Sequence, residues 1–250
     1  MEITATNLTY LVPLVFLVAV LYSSVGHGGA SGYLAVLAFT SFLPKEISTT
    51  ALILNIVVSG IAFFSYFRAG HFSFKLIFPF LISSIPLAFL GGTMPITQKI
   101  YFLLLSFVLI IAAIRMALPL SQKLKENISP NFYTALLSGG IIGLVSGIVG
   151  IGGGIFLSPL MIFMNWANPK KTSAVSAFFI LINSISGLLG RLSSGIMDIG
   201  SLTPLLIATS TGGLIGSYLG ANTFSSVLLK RCLAFTLVIA AFKSAFKFFR

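Results

Sequence analysis

Acidic side chains are almost absent from this chain. Glu2, Glu46, Glu126 and Asp198 are the only ones in 250 residues, and each falls in a loop or at the end of an apolar run. No two carboxylates can meet inside the apolar segments, which removes the usual apparatus of general acid–base and metal-assisted catalysis. An ion pump built on intramembrane carboxylates is disfavoured for the same reason. Cysteine is as scarce: Cys232 stands alone, so neither an internal disulfide nor a cysteine-based metal site can form. His27 and His71 lie far apart, and there is no Ser/His/Asp arrangement. No metal and no cofactor are expected, and the chain does not read as an enzyme.

Charge of either sign is also sparse. Only 8% of residues are Asp, Glu, Lys or Arg, against roughly a quarter in soluble domains. With 57% hydrophobic residues and a mean hydropathy of +1.07, the composition is that of a polytopic protein of the cell membrane, with the lipid bilayer as its solvent. The opening Met1-Glu2-Ile3-Thr4 has no basic leader region, and no small-residue cleavage site follows Leu8–Tyr22, so the first apolar run reads as a retained transmembrane element. The formal charge of +11 would suggest nucleic acid as the partner of a soluble protein. Here the basic residues sit in ones and twos between apolar runs, which points to orientation in the membrane and not to nucleic acid.

What is present is glycine, in two clusters. Gly150-Ile151-Gly152-Gly153-Gly154 puts four glycines into five positions of an apolar run. Glycine destabilises a helix interior by roughly 1 kcal/mol relative to alanine, so the cluster is expected to interrupt a helix. In lipid, the freed backbone groups are tolerated only where protein or a water-filled cavity receives them. Gly26-His27-Gly28-Gly29-Ala30-Ser31 repeats the pattern at an offset of 124 (150 − 26), about half the chain.

Apolar runs fall near 8–25, 29–43, 47–67, 74–93 and 99–118, then near 133–149, 153–165, 171–190, 201–222 and 231–249. Between the two sets lies the longest hydrophilic stretch. The organisation is therefore a first transmembrane repeat over 1–120, a polar connector over 121–131 and a second repeat over 132–250. Pro44-Lys45 matches Pro169-Lys170, and Gly91-Gly92 matches Leu219-Gly220. Asn55, followed by Gly60, pairs with Asn183, followed by Gly187, if the second half carries a small insertion. A spanning helix needs about 20 residues, so 29–43 and 153–165 are short. Each follows a glycine cluster and reads as a half-helix or the return limb of a re-entrant hairpin. A short, glycine-interrupted segment at the same place in two halves is a pointer to a transporter site.

The fold class is thus all-α, two homologous halves. If every run crosses, five elements per half make an inverted repeat; if each hairpin fails to cross, four remain and the repeats are parallel. With every run crossing, Arg68, Lys75, Arg115, Lys123, Lys125, Lys170, Lys171, Lys230 and Arg231 share one side, expected to be cytoplasmic. Lys45, Lys99, Arg191 and the basic tail share the other, with both termini.

Where a helix restarts after the glycines, its first N–H groups lack intrahelical partners and carry the positive end of the helix dipole. Glycine lets an oxyanion approach that backbone closely. Two such ends near mid-membrane would bind a small anion. The bland alternative is that the glycines only allow tight packing.

The paired pattern, Gly150-Ile151-Gly152-Gly153-Gly154 with Pro159, and Gly26-His27-Gly28-Gly29-Ala30, resembles the sulfite exporter TauE/SafE family of permeases over nearly the whole chain. That resemblance implies export or uptake of a small sulfur-containing oxyanion such as sulfite or an organosulfonate. The first copy departs from the second in having Ala30 opposite Gly154 and Ala35 opposite Pro159.

The expected substrate-binding residues are Gly26, His27, Gly28, Gly29, Ser31 and Asn55 in the first half, and Gly150, Gly152, Gly153, Gly154 and Asn183 in the second. His27, the only ionisable residue in either cluster, is the candidate for a coupling proton, with a reference pKa of about 6.5. Arg115 and Arg191, near run ends, are expected to snorkel to the interface, with an anion gate as the lesser alternative for Arg191, and Trp166 and Tyr66 to sit in interfacial belts. The alternatives are a permease for another anion or an organic acid, and a non-transporting membrane scaffold. The sequence assigns no oligomeric state.

Overall fold

A computed structural model describes residues 5–24, 27–40, 42–117, 130–193 and 202–222, with Val238, Ala241, Phe242 and Ala245. Gly26, residues 121–129 of the connector, Asp198 and Cys232 lie outside the described residues. Among those described the chain is all-helical, with nine helices and no strand. They are α1 (Ala5–Ser23), α2 (Ala30–Leu37), α3 (Pro44–Arg68), α4 (Phe74–Thr93), α5 (Gln98–Ala117), α6 (Phe132–Val149), α7 (Gly154–Phe163), α8 (Pro169–Leu192) and α9 (Thr203–Asn222). Four of them, within α3, α4, α6 and α8, are long and apolar enough to cross a membrane. At about 1.5 Å per residue, the 8-residue α2 and 10-residue α7 reach only about half of a hydrocarbon core.

Local chemistry starts the long helices. Proline at the first turn, where its missing N–H costs nothing, opens both α3 and α8. Glu46 Oε2 accepts from Leu43 N at 2.9 Å at the head of α3, and Asn168 Oδ1 accepts from Lys171 N at 2.9 Å at the head of α8. Asn131 Oδ1 does the same for Tyr133 N at the head of α6.

The packing pattern survives exchange of the two halves. α1 lies on α9 and α6 on α4; α4 lies on α8 and α9 on α3; α2 packs on α3 and α7 on α8; and α3 crosses α8. Swapping α1–α4 for α6–α9 returns the same set of neighbours. Directions follow from the contacts. Gly139, Gly143 and Gly147 of α6 meet Phe80, Ser84 and Ala88 of α4 in the same order, so these helices run parallel. Gly212 and Gly216 of α9 meet Phe16 and Val20 of α1 likewise. α3 and α8 are antiparallel: Leu52 lies by Gly187, Asn55 bonds Ser184, and Gly60 faces Leu181. Arg68, Lys75, Lys170 and Lys171 therefore sit at one end of this bundle, with Lys45 and Arg191 at the other.

The glycines at every fourth position of α6 are packing residues of the small-xxx-small type. A Cβ added at Gly139 would lie 2.5 Å from Phe80 O, and one at Gly143 2.5 Å from Ser84 O. The obstacle is backbone and cannot swing away. Gly143→Ala is expected to push α4 and α6 apart and cost about 1–3 kcal/mol, the usual penalty of overpacking. A detergent melt compared with wild type checks this; an unchanged melting temperature contradicts the close approach.

Trp166 departs from the interfacial expectation. It is 7% exposed and its ring packs on Phe80 with centroids 5.7 Å apart. The cause is the turn after α7, where Asn165 takes a positive φ of 55° and Trp166 N returns to Met161 O.

Candidate functional site

At the end of α6, Gly150 takes φ 90°, which turns the chain out of the helix. The N–H groups of Gly150 and Ile151 both return to Ser146 O, at 2.8 and 3.2 Å. Gly153, at φ 80°, leads into α7. In the first half His27 N returns to Tyr22 O at 3.0 Å, and Gly29, at φ 93°, leads into α2. An L side chain pays about 1–2 kcal/mol in this left-handed region, which is why both positions before a short helix are glycine.

The two junctions meet at one side chain. Asn55, from the middle of α3, is fully buried. Its Oδ1 accepts from Ala30 N, the first residue of α2, at 3.2 Å. Its Nδ2 donates to Ser184 Oγ of α8 at 2.9 Å and to Ile151 O, in the second junction, at 3.5 Å. One carboxamide thus ties the start of α2, the turn before α7 and the helix that crosses α3. Gly28 packs against the Oδ1 end of this amide and Gly152 against its Nδ2 end. A Cβ on either would run into the Asn55 amide and sit 2.9 Å from Ile180 Cγ2.

Around Asn55 lies a cavity of about 10 Å³ lined by Tyr22, His27, Gly28, Gly29, Ala30, Ser31, Ile151, Ile155 and Ile180. That is room for about one water molecule and too small for an oxyanion. Ser31 Oγ and Tyr22 Oη share a hydrogen bond of 2.8 Å at its wall. Tyr33 Oη, buried beside Gly29, has no hydrogen-bond partner among the described residues.

Of the residues expected from sequence, the structure gathers His27, Gly28, Gly29, Ser31 and Asn55 on this cavity, with Gly152 against the Asn55 amide. Gly154 abuts Ile180, and Gly153 packs on Ile142 and Phe179. Gly150 packs on Ser48. Gly26 is outside the described residues. Asn183 is elsewhere: its Nδ2 donates to Phe179 O of its own helix at 2.9 Å, and its Oδ1 has no partner among the described residues. The reason is register. α3 and α8 run unbroken from Pro44 and Pro169, so equal steps put Ile180, not Asn183, opposite Asn55. No insertion separates them.

Arg191 also departs from expectation. It is 8% exposed instead of snorkelling. Its Nη2 donates to Gly147 O at 2.7 Å and Ile148 O at 2.5 Å, and Tyr101 Oη donates to Val149 O at 3.4 Å. The carbonyls at the last turn of α6 are thus all received: Ser146 O by backbone N–H groups, Val149 O by the Tyr101 hydroxyl, and Gly147 O and Ile148 O by a cation at the negative end of the helix dipole. Sequence reading missed Tyr22, Tyr101, Ile180, Ser184 and Arg191 as neighbours of the junctions. Only Ser184 had a legible signal, standing where equal steps from the two prolines match Ser59.

An all-helical bundle with membrane-length apolar helices and its polar groups gathered inside is a multi-pass membrane protein. The model of the sulfite exporter TauE/SafE family matches residues 11–244, and the chain belongs to that family. It is 36% identical over 232 residues to "Probable membrane transporter protein y4hK" of Sinorhizobium fredii, covering 91% of this chain and 94% of that one. It is 26% identical over 241 residues to "Probable membrane transporter protein YdhB" of Bacillus subtilis, covering 90% and 95%. No solved structure matches significantly. Family and relatives point to a membrane transporter, not an enzyme.

Proposed function

We propose that the chain is a secondary transporter of a small oxyanion, sulfur-containing as the family description suggests, which binds where the two glycine junctions converge on Asn55. The observation that carries this reading is the Asn55 carboxamide bonded to both junctions at once. It places the N-terminus of α2 beside the second glycine turn, so that backbone N–H groups and the positive end of a helix dipole line a neutral pocket. Gly28, Gly29, Ser31, Asn55, Gly152, Gly153 and Gly154 form the site, and Gly26 and Gly150 shape the turns leading to it. Asn183 supports α8 from within its own helix.

The halves form an inverted repeat in this reading, with each glycine junction inside the membrane. Support comes from α3 and α8, counterparts that cross antiparallel; an axis along the membrane normal would make them parallel. In this reading the cavity widens to admit the anion by movement of α2 and α7, the two short helices. Counterflow in proteoliposomes with labelled sulfite, thiosulfate, sulfate and sulfoacetate tests the function. Exchange of one or more is expected, and inactivity toward all four counts against an anion site.

His27 is the proposed coupling group. It is half-buried at the cavity wall, which Tyr22 also lines, with Tyr33 beside Gly29. His27→Gln keeps hydrogen-bonding capacity but cannot titrate. It is expected to flatten the dependence of transport on pH. Identical pH profiles for wild type and variant make His27 structural.

A further inference from the structure

A second cavity, of about 260 Å³, opens between the head of α3, the turn joining α4 to α5 and the end of α8. On the same measure a water molecule needs about 10–15 Å³, so a partly hydrated oxyanion fits. Lys45 and Arg191 both line it, and among its described lining residues none is acidic. Among the described residues the neighbouring carboxylate is Glu46, which accepts from Leu43 N at 2.9 Å. We propose that this cavity is an anion-binding vestibule, in which Lys45 and Arg191 hold a small oxyanion before it reaches the glycine junctions.

Arg191 connects the two places. Its guanidinium lines the vestibule and also holds Gly147 O and Ile148 O, just before the chain turns at Gly150. An anion in the cavity therefore meets a cation where the bare end of α6 would repel it. The fold does not need a cation for this closure. In the first half α1 ends with Val20 O and Tyr22 O receiving backbone N–H groups and Leu21 O receiving Ser24 Oγ. Equal steps from the two prolines put Tyr66 opposite Arg191. The guanidinium thus has no counterpart at the other mouth, although Lys45 has one there in Lys170. A cavity lined by one sign of charge raises the local concentration of its counter-ion and speeds association, in a salt-dependent way.

This inference rests on the anion-transport reading, and the test separates the two. Labelled-sulfite exchange is measured at low and high ionic strength for wild type, Lys45→Gln, Lys45→Glu, Lys45→Arg and Arg191→Lys. Lys45 is exposed, so its variants are expected to fold. Lys45→Gln is expected to raise KM about three- to tenfold at low salt with kcat kept, and to flatten the salt dependence, since the steering charge is gone. Lys45→Glu should go further, and Lys45→Arg should restore wild-type behaviour. Arg191→Lys keeps the charge but loses the planar fork, and should raise KM without changing the salt slope. Wild-type KM and salt slope in Lys45→Gln and Lys45→Glu overturn the vestibule while leaving transport intact. If no anion is exchanged, the transport reading fails, and the vestibule is read from melting curves in detergent with added sulfate. A sulfate-dependent rise that shrinks in Lys45→Gln supports it; a rise seen only with phosphatidylglycerol, or none, overturns it.

Discussion

Gly28→Ala is expected to lower transport by at least about 100-fold while the protein still reaches the membrane. Gly28 has no left-handed backbone requirement, so alanine is conformationally acceptable there and the effect is one of space alone. The added Cβ would collide with Asn55 Oδ1 and lie 2.9 Å from Ile180 Cγ2 and 3.0 Å from Asn55 Cγ. The amide must then turn away from Ala30 N or Ser184 Oγ, and the remaining volume of about 10 Å³ is filled. Overpacking of this kind costs about 1–3 kcal/mol, which a membrane protein can survive, whereas the site it occupies is lost. At Gly29 and Gly153 the positive φ of 93° and 80° adds backbone strain, so valine there would confound loss of the site with misfolding. Gly60→Ala is the matched control on the same helix as Asn55: the nearest atom to its Cβ is Leu181 Cδ1 at 3.9 Å, an ordinary contact. Initial exchange rates, normalised to membrane protein, decide the matter. Gly28→Ala transporting within about twofold of Gly60→Ala removes the anion from this junction.

How far the sequence reaches is clearest where it stops. The all-helical class and the long apolar runs were legible because each run is bounded by turn chemistry: Pro44 and Pro169 open helices, and Asn131 and Asn168 cap them. The membrane setting was legible in the shortage of charge, and the family in the paired glycine pattern. The partner of Asn55 was not. Matching Asn55 to Asn183 by residue type required an insertion, and an insertion inside an unbroken helix would rotate every later side chain by about 100° per residue. The equal count to Ile180 wins because packing against α3 fixes that rotation. Arg191 was misplaced for another reason. Proximity to a helix end suggested the interface, but what holds it inside is a pair of carbonyls 44 and 43 residues away in sequence, a pairing no local pattern encodes. Wide-spaced glycine in α6 and clustered glycine at Gly150–Gly154 look alike in composition. Spacing separates them in the sequence and φ in the structure: the first set packs helical backbone on α4, while Gly150, Gly152 and Gly153 all lie at positive φ.

Two substitutions at Asn55 should separate its structural from its functional role. Asn55→Leu keeps the branch point but is bulkier and has no polar atoms, so besides crowding the site it leaves Ala30 N–H, Ile151 O and Ser184 Oγ without the bonds they now make. An orphaned buried group costs about 1–3 kcal/mol, and three of them sum to roughly 3–6 kcal/mol with some relaxation, enough to deplete the folded protein. Asn55→Asp keeps an acceptor for Ala30 N, and Ser184 Oγ can reverse to donate, so the one contact that suffers is the weak 3.5 Å bond to Ile151 O, which becomes an acceptor–acceptor contact. Its carboxylate would sit beside the α2 N-terminus, held by the same N–H groups and dipole proposed to hold the substrate. It is expected to lower the melting temperature far less than Asn55→Leu and yet to reduce anion exchange by at least about 100-fold, because a fixed negative charge occupies the site. Melting curves and exchange rates measured on the same preparations give the answer. If Asn55→Asp transports in proportion to its folded fraction, Asn55 is a staple between helices and the anion passes elsewhere.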